Sequence, residues 1–345
     1  MSLQHDAVPV VKAATGGQQP PYPLHPSVAD KLDPQYVAFY NKYLINSQQV
    51  HFQPVAASRV GGKIIPGGSD NVPVGSTQDF SIARQETDGP DVRVRCFTPE
   101  REPPAGGWPV MVYFHGGGWV LGNIDTENTV CTNMCKRARL APEEPFPAAV
   151  HDSWEALLWT ITKGTETLNL NKKQIAIGGS SAGGNLAAVL TQKATSRTDD
   201  PFRNLTFKVQ LLIVPVTDNT ATVTSSETYK SYEFTAALPA DKMLWYRKHY
   251  LPDKATWDSL EASPLLAPSE TFAKLPRAVI LVGELDVLRW EGEEYARKLN
   301  AAGVEARVEL MRGMPHPFLA MDGVLDEGKR AITVLCDSLK DAFSS

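Results

Sequence analysis

The sequence contains few cysteines for its length. Its 345 residues include four, Cys96, Cys131, Cys135 and Cys336, whereas proteins held together by disulfides are small and rich in cysteine. No group of cysteine and histidine residues has the spacing of a zinc site. We therefore expect a reduced, cytoplasmic protein with neither a disulfide framework nor a zinc site.

An excess of basic charge and long apolar runs are also absent. The 34 Lys and Arg residues face 39 Asp and Glu residues, a formal net charge of −5, so no basic surface is expected to neutralise the phosphates of a nucleic acid. No segment approaches the roughly 20 apolar residues of a membrane-spanning helix, and residues 1–14 lack the basic and then apolar order of a signal peptide. We expect a soluble protein with no nucleic-acid partner and no membrane span, and a homodimer is compatible with the sequence.

Strands alternate with helices over most of the chain. Residues 1–75 are rich in Pro, Gly and Gln, contain one helix-like stretch near residues 34–46 and are predicted to form an N-terminal cap segment, whereas residues 76–345 form the main domain. The main domain is predicted to begin with strands at 80–86 and 92–97 that form a meander. Residues 217–261 interrupt the alternation and are interpreted as an insertion that completes the cap. Strands separated by helix-length segments predict a mostly parallel central sheet with helices on both faces, and functional groups at the carboxyl ends of its strands.

The segment Gly179-Ser180-Ser181-Ala182-Gly183 has the pattern of a nucleophile elbow. It follows a predicted apolar strand at 174–177 and opens a predicted helix from Ala182, and the sharp turn between them tolerates only small neighbours. Ser180 is the rival nucleophile, but only Ser181 has glycines two residues before and two residues after it. We interpret Ser181 as the nucleophile.

A glycine-rich segment follows the predicted strand at 110–114. In His115-Gly116-Gly117-Gly118 the glycines leave backbone amides free to bind a carbonyl oxygen, as in the oxyanion hole of esterases with such an elbow. We assign the oxyanion donors to the amides of Gly116 and Gly117, joined by that of Ala182. His115 is interpreted as a residue that orients this loop.

A serine hydroxyl needs a base and an orienting acid, which follow the nucleophile in the order acid, then histidine. His316 lies on a loop after a predicted strand, whereas His249 lies in the helical insertion. Asp286 follows the predicted strand at 278–282, and Glu284 remains the alternative acid. Together the motifs predict an α/β-hydrolase fold with the triad Ser181, Asp286 and His316.

At these residues the chain resembles the hormone-sensitive-lipase-like family of bacterial and fungal esterases. The resemblance implies a carboxylic-ester hydrolase that acts on small-molecule esters with short acyl chains, without a metal or cofactor, beneath a cap formed by the N-terminal segment and the insertion. The matching segments are His115 with residues 116–119, residues 139–143 and 145–149, residues 179–185, residues 283–288 and residues 313–318.

Three other functions remain open at this point. A metabolite-specific deacetylase or an acyltransferase would use the same triad, and a non-catalytic ligand-binding protein is known on the same scaffold where the histidine is lost. An inactive deletion form is the third. Trp119 and Trp245 are candidates for lining the substrate site, with ordinary core packing as the alternative.

The chain departs from the family before Arg139. Family members have an apolar strand ending in Asp-Tyr there, whereas here Cys135-Lys136-Arg137-Ala138 runs directly into Arg139. A chain that descends through a helix must climb through a strand before the next helix, and the prolines at 142–147 make a poor central strand. About nine residues are therefore missing relative to the family, and one sheet strand with them. We expect reduced stability and activity compared with a full-length relative, and less damage if residues 129–135 form that strand instead.

Overall fold

Five parallel strands form the central sheet of the computed structural model, which describes residues 18–59, 66–123, 125–134 and 145–344. These strands are β3 (Trp108–Phe114), β4 (Leu170–Ser180), β5 (Phe207–Ile213), β6 (Ala278–Gly283) and β7 (Ala306–Met311). They lie side by side in this order, and every neighbouring pair is parallel. The predicted parallel sheet is thereby confirmed.

Helices cover both faces of this sheet. The helices of the described residues are α1 (Pro26–Ala29), α2 (Pro34–Phe39), α3 (Val55–Arg59), α4 (Asn128–Met134), α5 (Ala148–Ile161), α6 (Lys163–Thr167), α7 (Ala182–Ser196), α8 (Glu227–Ser231), α9 (Ala240–Tyr250), α10 (Ser269–Phe272), α11 (Arg289–Ala301) and α12 (Asp326–Ser344). A π-helical turn spans Tyr40–Leu44, and 3₁₀ turns span Val50–Phe52, Lys254–Thr256, Pro264–Leu266 and Phe318–Met321.

Successive side chains of each strand belong to two different cores. Val112 and Phe114 pack with apolar residues of α5, α7 and α11, whereas Met111 and Tyr113 pack with apolar residues of α12. This alternation follows from the pleat of a strand, and a parallel sheet covered on both faces has apolar residues at both sets of positions. The sheet therefore lies in the middle of the molecule, and its strand ends carry the loops.

The second described helix of the chain lies where a helix-like stretch was expected, near residues 34–46. Helix α2 begins at Pro34 because Asp33 caps it: the Asp33 side chain accepts a hydrogen bond from the Gln35 amide at 2.7 Å, and proline suits the first helical position. The helix continues as the π-helical turn to Leu44. The predicted helix is thus confirmed, with a change of hydrogen-bonding pattern after its second turn.

A two-stranded hairpin stands apart from the central sheet. Strand β1 (Ser76–Ile82) pairs antiparallel with β2 (Val92–Thr98), which confirms the predicted meander. Helix α5 holds the loop between the two strands: the buried Glu155 carboxylate accepts the backbone amides of Gln85, Glu86 and Thr87 at 2.7 to 2.9 Å. In the described part of the chain, the hairpin thus pairs with no strand of the central sheet and is attached through helix α5.

A cavity of about 430 Å³ separates β2 from β3. In the ranges the structure describes, no strand lies between them. The expected loss of one strand concerns residues that the structure does not describe, so it stays a prediction. The alternative strand at 129–135 is wrong for its described part, because Asn128–Met134 is helical. The segment at 135–144, where the departure from the family occurs, lies outside the described residues.

Candidate active site

Ser181 occupies a strained turn between β4 and α7. Its φ is +54°, in the left-handed region that non-glycine residues rarely adopt. The flanking glycines allow this turn because a Cβ atom on Gly179 would lie 2.4 Å from the Gly183 carbonyl oxygen, and one on Gly183 would lie 2.0 Å from that of Phe114. The spacing of the motif thus reflects close backbone packing beneath the serine.

Three predicted site residues from distant parts of the chain form one chain of hydrogen bonds. The Ser181 Oγ lies 2.8 Å from the His316 Nε2, and the His316 Nδ1 lies 2.8 Å from the Asp286 Oδ2. The other carboxylate oxygen of Asp286 accepts the Leu288 amide at 3.0 Å, and the Asp286 side chain is fully buried. The arrangement can remove a proton from the hydroxyl and stabilise the resulting imidazolium.

The rival residues have other partners. Glu284 accepts the Gly313 amide at 2.7 Å, so it holds the loop that leads to the histidine. His249 packs against the ring of Trp245 at a centroid distance of 4.5 Å. The Ser180 hydroxyl donates to Glu127 at 2.6 Å. None of the three takes part in the hydrogen-bond chain.

The glycine loop after β3 differs from the prediction at one position. The Gly116 amide donates to the Glu127 Oε2 at 3.2 Å, so it is not free to bind an oxyanion. The amides of Gly117 and Gly118 have no such acceptor among the described residues, and Ala182 begins α7, where first-turn amides lack an intrahelical partner. The expectation that the Gly116 amide is an oxyanion donor is therefore corrected, because this amide is bound to Glu127.

A cavity of about 510 Å³ opens beside Ser181 and His316. The N-terminal segment and the insertion both contribute to its walls, together with the glycine loop. Its apolar and aromatic lining includes Tyr40, Leu44, Val50, Leu121, Val214, Val216, Leu238, Met243, Tyr246, Leu319 and Met321. Such a site suits a small, mostly apolar ligand.

The two tryptophans proposed from the sequence do not line this cavity. Trp119 is 2% exposed and stacks on Tyr250 at a centroid distance of 4.2 Å. Trp245 packs edge-on against the ring of Tyr246 at 5.1 Å. Trp245 thus contacts a lining residue, whereas Trp119 packs against Tyr250, which does not line the cavity; the tyrosines that do are Tyr40 and Tyr246.

Sequence reasoning missed two charged residues of the cavity, Glu127 and Lys242. The Lys242 Nζ donates to the Ala237 carbonyl at 2.7 Å, and burial lowers the pKa of its ammonium to about 8. Neither residue belongs to a recognisable motif, although the Thr126-Glu127-Asn128 segment follows the glycine loop closely enough to draw attention to its acid.

Within the described ranges, no cluster of three metal-binding side chains occurs. The described helices include none that is both long and apolar enough to cross a membrane.

Comparisons with known proteins agree with this geometry. A family model described as the alpha/beta hydrolase fold matches residues 111–320. An AB hydrolase superfamily protein of Schizosaccharomyces pombe is 46% identical over 335 residues, 93% of this chain and 97% of the relative. An arylesterase of Saccharolobus solfataricus is 31% identical over 93% of this chain and 99% of its own.

Solved structures show the same likeness. A Rhizomucor miehei esterase structure superposes with a TM-score of 0.78 at 28% identity, covering 91% of this chain and 97% of the other. The chain therefore belongs to the hormone-sensitive-lipase-like esterase family of α/β hydrolases.

Proposed function

We propose that the protein is a serine carboxylic-ester hydrolase that acts on small-molecule esters with short acyl chains. The observation that carries the proposal is the hydrogen-bond chain from Ser181 through His316 to Asp286. The names of its relatives, an arylesterase among them, support ester hydrolysis. The cavity of about 510 Å³ lies in the lower part of the size range of ligand sites, about 300 to 1,000 Å³, which supports a small substrate.

In this mechanism His316 accepts the Ser181 proton while the Oγ attacks the ester carbonyl carbon. The bond to the alcohol oxygen then breaks, and His316 returns the proton to the leaving alcohol. Water attacks the acyl-enzyme with His316 again as the base, which releases the acid and restores the Ser181 hydroxyl. Asp286 holds the imidazole in the required tautomer throughout.

The negative charge on the carbonyl oxygen requires aligned donors. We assign them to the amides of Gly117 and Ala182, with Gly118 beside them, because the Gly116 amide is already bound to Glu127. One such donor contributes about 3 to 4 kcal/mol to transition-state stabilisation in measured cases. We also assign residues 1–75 and 217–261 to a cap over the catalytic domain at 76–345, since described residues of both segments contribute to the cavity walls. Residues 1–17 and 60–65 of the first segment lie outside the described residues.

The first experiment is hydrolysis of p-nitrophenyl acetate, butyrate and decanoate by the purified protein and by Ser181→Ala. We expect acetate and butyrate to be the better substrates and the variant to lose at least about 10³-fold in kcat. The melting temperatures should agree, because the substitution removes only a hydroxyl. Activity that survives in Ser181→Ala would overturn the assignment of the nucleophile.

A further inference from the structure

The Glu127 carboxylate joins three parts of the site. It accepts the Ser180 hydroxyl at 2.6 Å on Oε1, and on Oε2 it accepts the Tyr113 hydroxyl at 3.1 Å and the Gly116 amide at 3.2 Å. Ser180 ends β4, Tyr113 belongs to β3, and Gly116 belongs to the glycine loop. One side chain thus links the nucleophile turn to the loop that carries the oxyanion donors.

The backbone at Glu127 is strained. Its φ is +59°, a conformation that costs a non-glycine residue free energy and that persists where the surroundings impose it. The Glu127 carbonyl accepts the Cys131 amide at 2.7 Å, so the residue is fixed at the entry to α4. Its carboxylate also lines the cavity beside Ser181. Strain of this kind concentrates at functional sites.

The carboxylate and a histidine hold Gly116 from both sides. The Gly116 amide donates to Glu127, and the Gly116 carbonyl lies 2.6 Å from the His115 Nδ1. Because a peptide unit is planar, fixing the Gly116 carbonyl also fixes the direction of the Gly117 N–H on the same unit. The orientation of a proposed oxyanion donor therefore depends on these two contacts.

We propose that Glu127 is a positioning residue for the oxyanion hole: through the Gly116 amide and the Ser180 hydroxyl it holds the amides of Gly117 and Ala182 in line with Ser181. The proposal rests on the hydrolase function proposed above. Preorganised donors stabilise a transition state because no reorganisation is needed as charge develops.

Glu127→Gln is the informative substitution because it preserves shape. A carboxylate accepts all three hydrogen bonds, whereas an amide keeps one acceptor oxygen and places an NH₂ group against donors. Burial, and then the charge of Glu127, raise the pKa of Tyr113, so the phenol stays protonated and remains a donor at assay pH. Tyr113→Phe removes one donor and leaves the Gly116 and Ser180 contacts, which makes it the matched control.

The test measures kcat and KM for p-nitrophenyl acetate, and the binding of an alkyl trifluoromethyl ketone, which adds to Ser181 and forms an oxyanion. For Glu127→Gln we expect kcat to fall about 30-fold, less than the loss of a whole donor, with KM changed less than twofold. Binding of the ketone should weaken by a similar factor. Ser180→Ala should give a smaller loss in the same direction, and Tyr113→Phe should stay within about threefold of wild type.

Three outcomes would overturn the positioning role. One is a Glu127→Gln variant with wild-type kcat and ketone affinity. Another is a fall in kcat that disappears once rates are divided by the fraction of folded enzyme, measured by thermal melting. The third is a Tyr113→Phe loss as large as that of Glu127→Gln. If wild type hydrolyses none of the esters, the proposed function fails separately, and ketone binding to the two proteins still tests the positioning role.

Discussion

The Lys242 ammonium lies in the wall of a cavity that is otherwise mostly apolar. Its neighbour Asp241 pairs instead with His51, at 3.4 Å, and no salt bridge to Lys242 occurs within the described residues. Burial lowers the pKa of the ammonium to about 8, so the group is charged at neutral pH and loses its proton as the pH rises through that value. A substrate carrying a carboxylate could supply the missing partner.

We therefore predict that, below pH 8, the kcat/KM for the p-nitrophenyl monoester of glutarate is higher relative to the kcat/KM for p-nitrophenyl butyrate than it is above pH 8. The ratio of their kcat/KM values should fall roughly tenfold from pH 7 to pH 9, as a charge-assisted contact worth about 1.4 kcal/mol is lost. In Lys242→Met the ratio should be low and independent of pH. A ratio that is flat in wild type would contradict a direct role of this ammonium in substrate binding.

At the scale of elements, the hairpin β1–β2 depends on helix α5 for its attachment. Glu155 accepts three backbone amides of the hairpin loop, and Arg84 of the same loop forms a buried ion pair with Asp152 of α5. Apolar contacts of Ala156 and Trp159 with β2 complete the contact. Two carboxylates of α5 thus attach the hairpin, which has no backbone pairing with the strands of the central sheet.

Glu155→Ala should lower the stability of the protein without changing its catalytic rate. Three backbone amides of the hairpin loop lose a buried acceptor, which costs on the order of 3 kcal/mol in the free energy of unfolding. We expect a melting temperature several degrees lower, with kcat per folded molecule unchanged because the hairpin lies away from Ser181. Glu166→Ala, at an exposed position on the neighbouring helix α6, is the control and should leave the melting temperature unaltered. An equal effect of both substitutions would argue against the anchoring role.

For the whole molecule, the cavity between β2 and β3 is the main departure from a continuous sheet. Val94 and Cys96 of β2 face it from one side, Val110 and Val112 of β3 from the other, and Trp159 lies at its floor. The edges of β2 and β3 that face the cavity have no strand partner in the part of the chain that the structure describes. Unpaired backbone and an unfilled apolar space both lower stability.

Inserting a nine-residue apolar segment ending in Asp-Tyr before Arg139 should raise the stability of the protein. Burial of three or four apolar side chains would contribute several kcal/mol, at about 1.5 to 3 kcal/mol each, and the melting temperature should rise by more than about 5 °C. A nine-residue Gly/Ser insertion at the same point provides the control, since it restores length without apolar burial. Equal melting temperatures for the two insertions would refute the idea that a missing strand limits stability.

Much of this architecture is encoded locally in the sequence. Apolar strands that alternate with helices predict a parallel sheet, because such strands are buried on both faces. The elbow at Ser181 is recognisable since its turn requires small residues at fixed spacing, and His316 and Asp286 follow from chain order and from their places after strands. The hydrogen bonds among the three match what these local rules predict, although their catalytic roles stay proposals.

Contacts between distant segments determined the features of the site that the sequence did not predict. The Gly116 amide binds a carboxylate from Glu127, and the ring of Trp119 faces Tyr250 rather than the cavity. No local pattern reports such pairings, because they depend on how separate loops and helices meet above the sheet. The sequence by itself therefore determined the sheet and the reactive groups at its edge, whereas tertiary packing determined which amides are free and which side chains line the cavity.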